Sequence, residues 1–459
     1  IIRRTMYEQA FEYAYLEDVV NYKGAVINLH WSEDLSPRCN FGYSVRGPND
    51  RIYVSGTAEA TPGAMVDIGH GFRLWERPYR VVLTPHPDEY YRDNTRYRRD
   101  IPIHVLDTAY AEEPYGTYAE RRQEALEYAA ERQDDVFAEI AKMALGKWAE
   151  VDVDLIMATI ERINQRADCS DFYLVGLLGV MDRYMDDPAF PEALKDPLKA
   201  CVLNFKYWLD EPETDAMCYL TENHSILFHT CEMLAGQRYP DETFTNNGET
   251  GRWHREKGER LALGWLRTRG AGGFQEWDSN CEEDLLALAH LLDLAENEEV
   301  MEMAAVVMDK MFFTMAVNSY KGAFGSTHGR TYTPLIKGAQ LEATSGIGRL
   351  MWGTGVFNPH IRGLVALACS EYELPLLIAT IATASSETIW NRERHAQIVL
   401  DETGAATLVE GGWEVNKVTY KTPDSMLCSA QDYHPGAKGY QQHIWQATFG
   451  PDAVVFVNH

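Results

Sequence analysis

The stretch Val300-Met301-Glu302-Met303-Ala304-Ala305-Val306-Val307-Met308-Asp309-Lys310-Met311 places apolar residues at 300, 303, 304, 307, 308 and 311. That i, i+3, i+4 spacing lays one apolar stripe along a 3.6-residue helix and predicts a buried helical face. The same signal extends over about 117–398. Ile156, Ile160 and Ile163 recur at helical spacing, and Phe172–Met181 is strongly apolar around Gly176 and Gly179. Glu120–Leu145 has no Gly or Pro and reads as one long charged helix. Leu364–Ala382 is apolar too, and Pro375 should split or kink it, because proline lacks the helical N–H. Short loops rich in Gly, Pro, Asn and Asp separate many of these segments, which predicts antiparallel neighbours. No fixed-period repeat is visible, so a short-repeat solenoid is excluded. An array of helical hairpins remains, and an α/α toroid is one way to close it.

Outside this region the period shortens. Ala25–Leu29, Arg51–Ser55, Tyr79–Leu83 and Ile101–Val105 are short apolar or alternating runs. Breakers such as Gly47-Pro48-Asn49-Asp50 lie between them, as in a β-rich module. β-type runs return at Ala406–Val409, Val415–Tyr420 and Ala453–Val457. The expected layout is mainly α with β modules: a β-rich N-terminal module over 1–116, an α/α toroid over 117–400, and the beginning of a β-sandwich over 401–459. The opening Ile1-Ile2-Arg3-Arg4 lacks an initiator Met and an apolar signal core, and the close falls within a strand pattern. Both features lead us to expect a trimmed start and further chain beyond the end.

Of 459 residues, 42 are Lys or Arg and 69 are Asp or Glu, for a net charge of −27. This excludes non-specific nucleic-acid binding, which relies on clustered cations, and binding to an anionic membrane surface. No run reaches the roughly 18 apolar residues of a membrane span. With 45% hydrophobic and 11% aromatic residues, the chain is not an acidic disordered one. Its eight cysteines are scattered without a Cys-x-x-Cys pair, so neither a zinc framework nor a disulfide scaffold is indicated, and the compartment stays open.

Four clusters carry candidate chemistry. In Thr221-Glu222-Asn223-His224-Ser225, Thr221 suits an N-cap and Glu222 a first helical turn. Asn223 can donate a hydrogen bond to a carboxylate and His224 can accept a proton, a useful pair for removing a proton α to a carbonyl. The same residues also serve a plain capped helix start. In Gly325-Ser326-Thr327-His328-Gly329-Arg330-Thr331-Tyr332, Arg330 can hold a carboxylate and Tyr332 can act as acid or base near a cation. A loop tied by its own hydrogen bonds is the plain reading there. Gly272–Asn280 offers Glu276, Trp277 and Asp278, with Arg252, Trp253 and His254 nearby in sequence. That composition suits a sugar, whose C–H face stacks on an aromatic ring, and it is also ordinary for a loop. The fourth cluster, Gln431–Gly436 with Gln441–Trp445, adds His443. Phosphate-loop, nucleophile-elbow and His-Glu-x-x-His motifs are absent.

Asn223-His224-Ser225 resembles the Asn-Asn-His-Ser stretch of the alginate-lyase-type toroid enzymes, with Glu222 standing where that pattern has its first Asn. A helical toroid followed by a β-sandwich is similar to the chondroitin, hyaluronate, heparinase and alginate polysaccharide lyases. It also resembles an uncharacterised bacterial family of that architecture. The stretches that carry the impression are Thr221–Gly236, Gly273–Asn280, Gly325–Tyr332 and Gln431–Gly450. The resemblance implies β-elimination from a uronate-containing glycan without a redox cofactor. Asn223 and Arg330 would neutralise the carboxylate, His224 or Tyr332 would take the C5 proton, and Tyr332 would protonate the leaving oxygen. Glu222, Trp253, His254, Glu276, Trp277, His328 and His443 would contact the sugar. A structural calcium is compatible with such proteins, and no motif here calls for it.

Two alternatives stand beside the lyase. One is a glycoside hydrolase using two of Glu222, Glu276 and Asp278 as acid and base. The other is a glycan-binding protein without catalysis. The charge of −27 sits awkwardly with a polyanionic substrate, since long-range attraction cannot recruit it. A cleft lined mainly by carboxylates would therefore favour hydrolysis of a neutral glycan.

Overall fold

A computed structural model describes residues 2–70, 74–92, 95–279, 281–384, 386–434 and 442–458. Mainly helical with β modules at both ends of the chain, it divides into two units, residues 1–110 and 111–459. In the first unit, helix α1 (Ile2–Glu12) precedes eight strands: β1 (Ala14–Leu16), β2 (Val20–Tyr22), β3 (Val26–Trp31), β4 (Cys39–Arg46), β5 (Ile52–Ala60), β6 (Met65–His70), β7 (Arg77–Pro85) and β8 (Arg99–Leu106). They form two sheets, ordered β1-β3-β6 and β2-β8-β7-β4-β5, in which β2 and β8 pair in parallel and the other pairs are antiparallel. All four sequence runs fall in β3, β5, β7 and β8. Inward side chains meet in one core, where Phe11 of α1 packs on Trp31 and Trp31 on Phe41, with centroids 6.0 and 5.0 Å apart.

The second unit opens on helices α2 (Tyr118–Ala130), α3 (Val136–Ala144), α4 (Val153–Asn164), α5 (Ser170–Tyr184), α6 (Lys195–Asn204), α7 (Glu222–Arg238), α8 (Gly251–Gly272), α9 (Cys281–Leu294) and α10 (Glu298–Val317). The single long helix expected over Glu120–Leu145 is two. Asp135 takes extended backbone and accepts from Phe137 N–H at 3.0 Å, which starts α3 and separates it from α2. Thr117 and Glu120 close a capping box at the start of α2. The stripe from Val300 to Met311 is buried along α10, as its period predicts. After β9 (Ser319–Tyr320) and β10 (Ala323–Phe324) come α11 (Thr333–Lys337), α12 (Ala343–Trp352), α13 (Arg362–Ala368) and α14 (Leu376–Ala382). Pro375 stands at the N-cap of α14 and breaks the apolar run there.

Five helices pack in a cycle: α3 on α5, α5 on α7, α7 on α9, α9 on α13, and α13 on α3. The helices α2, α4, α8 and α10 pack against members of this cycle. Glycine makes several contacts close. A Cβ on Gly176 of α5 would lie 2.7 Å from the Phe137 ring of α3. One on Gly258 of α8 would lie 2.5 Å from the Met233 backbone nitrogen of α7.

β11 (Ile389–Ala396), β12 (Ile398–Leu400), β13 (Ala406–Leu408), β14 (Glu414–Lys421), β15 (Met426–His434), β16 (His443–Gly450) and β17 (Ala453–Asn458) complete the unit, so strands begin ahead of the expected boundary at 401. An antiparallel sheet orders β11-β14-β15-β16-β17, while β12 and β13 form a separate hairpin. The sheet is fixed to the helical part by buried ion pairs. Lys417 pairs with Asp278 and lies 3.3 Å from Glu393, which also accepts from Asn318 at 2.9 Å. None of the helices among the described residues is long and apolar enough to cross a membrane.

Candidate functional site

The N-terminal ends of α3, α5, α9 and α13 meet at a cavity of about 300 Å³. Asp135 caps α3, Phe172 lies in the first turn of α5, Glu282 and Glu283 in that of α9, and His360 and Arg362 at the start of α13. A second cavity of about 140 Å³ shares Glu282, Glu283 and His360 and adds His328, Arg330, Tyr332 and Glu342. Helix N-termini carry partial positive charge, which suits carboxylates placed there.

Glu282 and Glu283 are adjacent yet differ in environment. Glu282 is buried, which alone would raise its pKa. The His360 imidazole, with Nδ1 at 3.6 Å, the Gly363 N–H at 3.1 Å and the Arg362 charge outweigh burial and hold it below the ordinary carboxylate range. Glu283, half-buried, makes no ion pair among the described residues. Burial, reinforced by the charge of Glu282, pushes its carboxyl up to about 7. The other charges on the walls are paired: Arg362 with Asp135 at 3.0 Å, Arg330 with Glu276 at 3.2 Å, and His328 with Glu342 at 3.5 Å.

Of the residues singled out from sequence, Asp278, His328, Arg330 and Tyr332 line the 140 Å³ cavity together, and Tyr332 is 53% exposed. Asn223 and His224 do not line either cavity. Asn223 is buried and accepts from Thr221 Oγ1 at 2.9 Å. His224 is buried with Nδ1 2.7 Å from Asp171 and its ring edge-on to Phe172. Burial would lower its pKa, but hydrogen bonds and charge from Asp171 and Cys169 raise it above the ordinary imidazole value.

Glu222 is buried against Arg269 at 3.0 Å and accepts from the Gln275 N–H. Asp278 is locked by Lys417 and Ser326. Burial would raise Asp278, yet Lys417 and His395 outweigh it and lower its pKa. Trp277 is 4% exposed and offers no open stacking face. Trp253 and His254 lie on α8, away from both cavities; His254 is fully buried between Glu232 and Asn247. His443 is buried and stacks on His328 with centroids 5.5 Å apart; burial and the His328 charge push its pKa down to about 3. Asn280, Pro435, Gly436 and Gln441 lie outside the described residues.

The first turn of α9 escaped sequence reading because its acids looked like a solvated face. The signal was present: Glu282-Glu283-Asp284 opens a segment, Leu285–Leu291, that is apolar all round and so leaves no solvated side for them.

No family model matches the sequence, and no curated protein does. Among solved structures, a family 76 glycoside hydrolase from a bovine Bacteroides thetaiotaomicron strain is 9% identical over 67% of this chain and 80% of that one, with a TM-score of 0.22. Trypsin-activated alpha-2-macroglobulin from Escherichia coli is 11% identical over 88% of this chain and 30% of that one, with a TM-score of 0.24. Likenesses at this level assign neither fold nor function.

Proposed function

We propose that the chain is a carbohydrate-active enzyme, a glycoside hydrolase that cleaves an uncharged glycan with Glu283 as general acid and Glu282 as its ionised partner. What supports this is that both carboxyls line the same two cavities in different surroundings: Glu282 is held by the Gly363 N–H and His360, while Glu283 has no ion pair among the described residues and burial raises its pKa. A glycosidase needs one carboxyl protonated to assist the leaving oxygen, and one ionised to act as nucleophile or to deprotonate water. Tyr332 offers an exposed ring to a sugar face. The wall carboxylates and the net charge of −27 both disfavour a polyanion. The scaffold reading that goes with this is an α/α toroid, supported by the cyclic packing of α3, α5, α7, α9 and α13 and followed in sequence by the C-terminal β-sheet.

A uronate lyase is the second reading, favoured by Arg330, Tyr332 and His328 on one cavity. His224 does not serve it as a base, because it is buried against Asp171 and Phe172 and lines neither cavity. Glu282→Gln and Glu283→Gln should each lower kcat on a cleaved neutral glycan about a hundred- to ten-thousandfold while circular dichroism stays native. Activity within a factor of two of wild type in both would overturn the hydrolase assignment.

A further inference from the structure

Asp168, Cys169 and His224 bring one carboxylate oxygen, the thiol sulfur and one imidazole nitrogen within 4.8 Å of one another. We propose that these three side chains bind a borderline divalent transition-metal ion, zinc by its chemistry, with a fourth position open to water. Sulfur and nitrogen donors select such an ion over calcium or magnesium, which take oxygen ligands.

The surroundings point the same way. Nδ1 of His224 is 2.7 Å from Asp171, so Nε2 is the nitrogen left to ligate, and Asp171 stands where an outer carboxylate steadies a metal-bound histidine. Asp171 is fully buried, and its other oxygen meets no hydrogen-bond partner among the described residues. Among those residues no Lys or Arg forms an ion pair with Asp168 or Asp171; the group facing Asp171 is the His224 imidazole, and an ion bound at Nε2 takes the place of a proton there. The contrast is the buried set Glu211, Glu232 and His254, whose ligand atoms are equally close. There the Lys257 ammonium stands 3.2 Å from Glu232 and already fills that place.

Asp168 is exposed, and the Cys218 N–H donates to its Oδ1 at 3.1 Å, leaving Oδ2 free to ligate. Cys169 has a φ of 65°, a region that non-glycine residues rarely occupy. The ion would tie the start of α5 to the start of α7 behind Phe172, whose ring meets His224 and lines the 300 Å³ cavity.

The test titrates the chelator-treated, reduced full chain with cobalt(II), then zinc. One cobalt per chain should give the sulfur-to-cobalt charge-transfer band in the near ultraviolet, and zinc should abolish it and raise the melting temperature by about 5 °C. Cys169→Ser should lose the band. Asp168→Asn, at an exposed side chain that leaves the fold intact, should weaken binding at least tenfold, and Asp171→Asn about ten- to a hundredfold. No band in the wild type, a band retained in Cys169→Ser, or unchanged affinity in Asp168→Asn overturns the proposal. None of these readouts depends on glycan cleavage.

Discussion

Glu282 and Glu283 sit one peptide bond apart, and the charge on the first is part of what keeps the proton on the second. With its carboxyl pushed up to about 7, Glu283 holds a proton below that pH, and the acid role proposed for it would be lost above it. The kcat/KM profile on a neutral glycan should therefore fall on its alkaline side near pH 7, and the Glu282→Gln protein should show that limb moved to lower pH. A carboxyl raised on folding favours the folded state only while protonated, so its contribution is full below the ordinary carboxyl range and fades as pH climbs to about 7. Glu283→Gln removes that penalty and should stabilise the protein at pH 8 by on the order of 1–2 kcal/mol, measured by urea unfolding at pH 5 and pH 8. Little of this was legible in sequence. Asn223 and His224 carry the family-like motif but face Thr221, Asp171 and Phe172, because packing, not spacing, decides which way a first-turn side chain points. Arg330 and Tyr332, which line the 140 Å³ cavity, stand out in sequence because two glycines beside charged and aromatic residues are unusual within one loop.

At the scale of elements, the helices were legible wherever period and breakers agreed, as in α10 and at Pro375. They were not legible where a polar side chain competed with the helix: Asp135 starts α3 through one hydrogen bond that no hydrophobic pattern reveals. The approach of α7 and α8 depends on backbone meeting backbone. Gly258→Ala would place a Cβ 2.5 Å from Met233 N, where no side chain can move aside. It should cost about 2–3 kcal/mol in denaturant unfolding, despite alanine's better helix propensity. Lys417 on β14 is fully buried against Asp278 and Glu393. Lys417→Met strands those carboxylates and should cost about 3–5 kcal/mol, whereas Lys417→Met combined with Asp278→Asn should recover part of that loss.

For the whole molecule, the net charge of −27 weighs against long-range recruitment of a polyanion, which is the reason the proposed substrate is an uncharged glycan. The excess of acid over base was visible from composition; that part of it gathers at helix N-termini was not, since gathering depends on α3, α5, α9 and α13 coming together from distant parts of the chain. The chemistry of the product tests this account most directly. The full chain is incubated with a panel of neutral and uronate-containing glycans, and each reaction is followed for new reducing ends and for the ultraviolet absorbance of an unsaturated uronate. The account predicts reducing ends from a neutral glycan, no unsaturated product, and loss of the signal in Glu283→Gln; unsaturated product from a uronate polymer, or cleavage undiminished in Glu283→Gln, would contradict it.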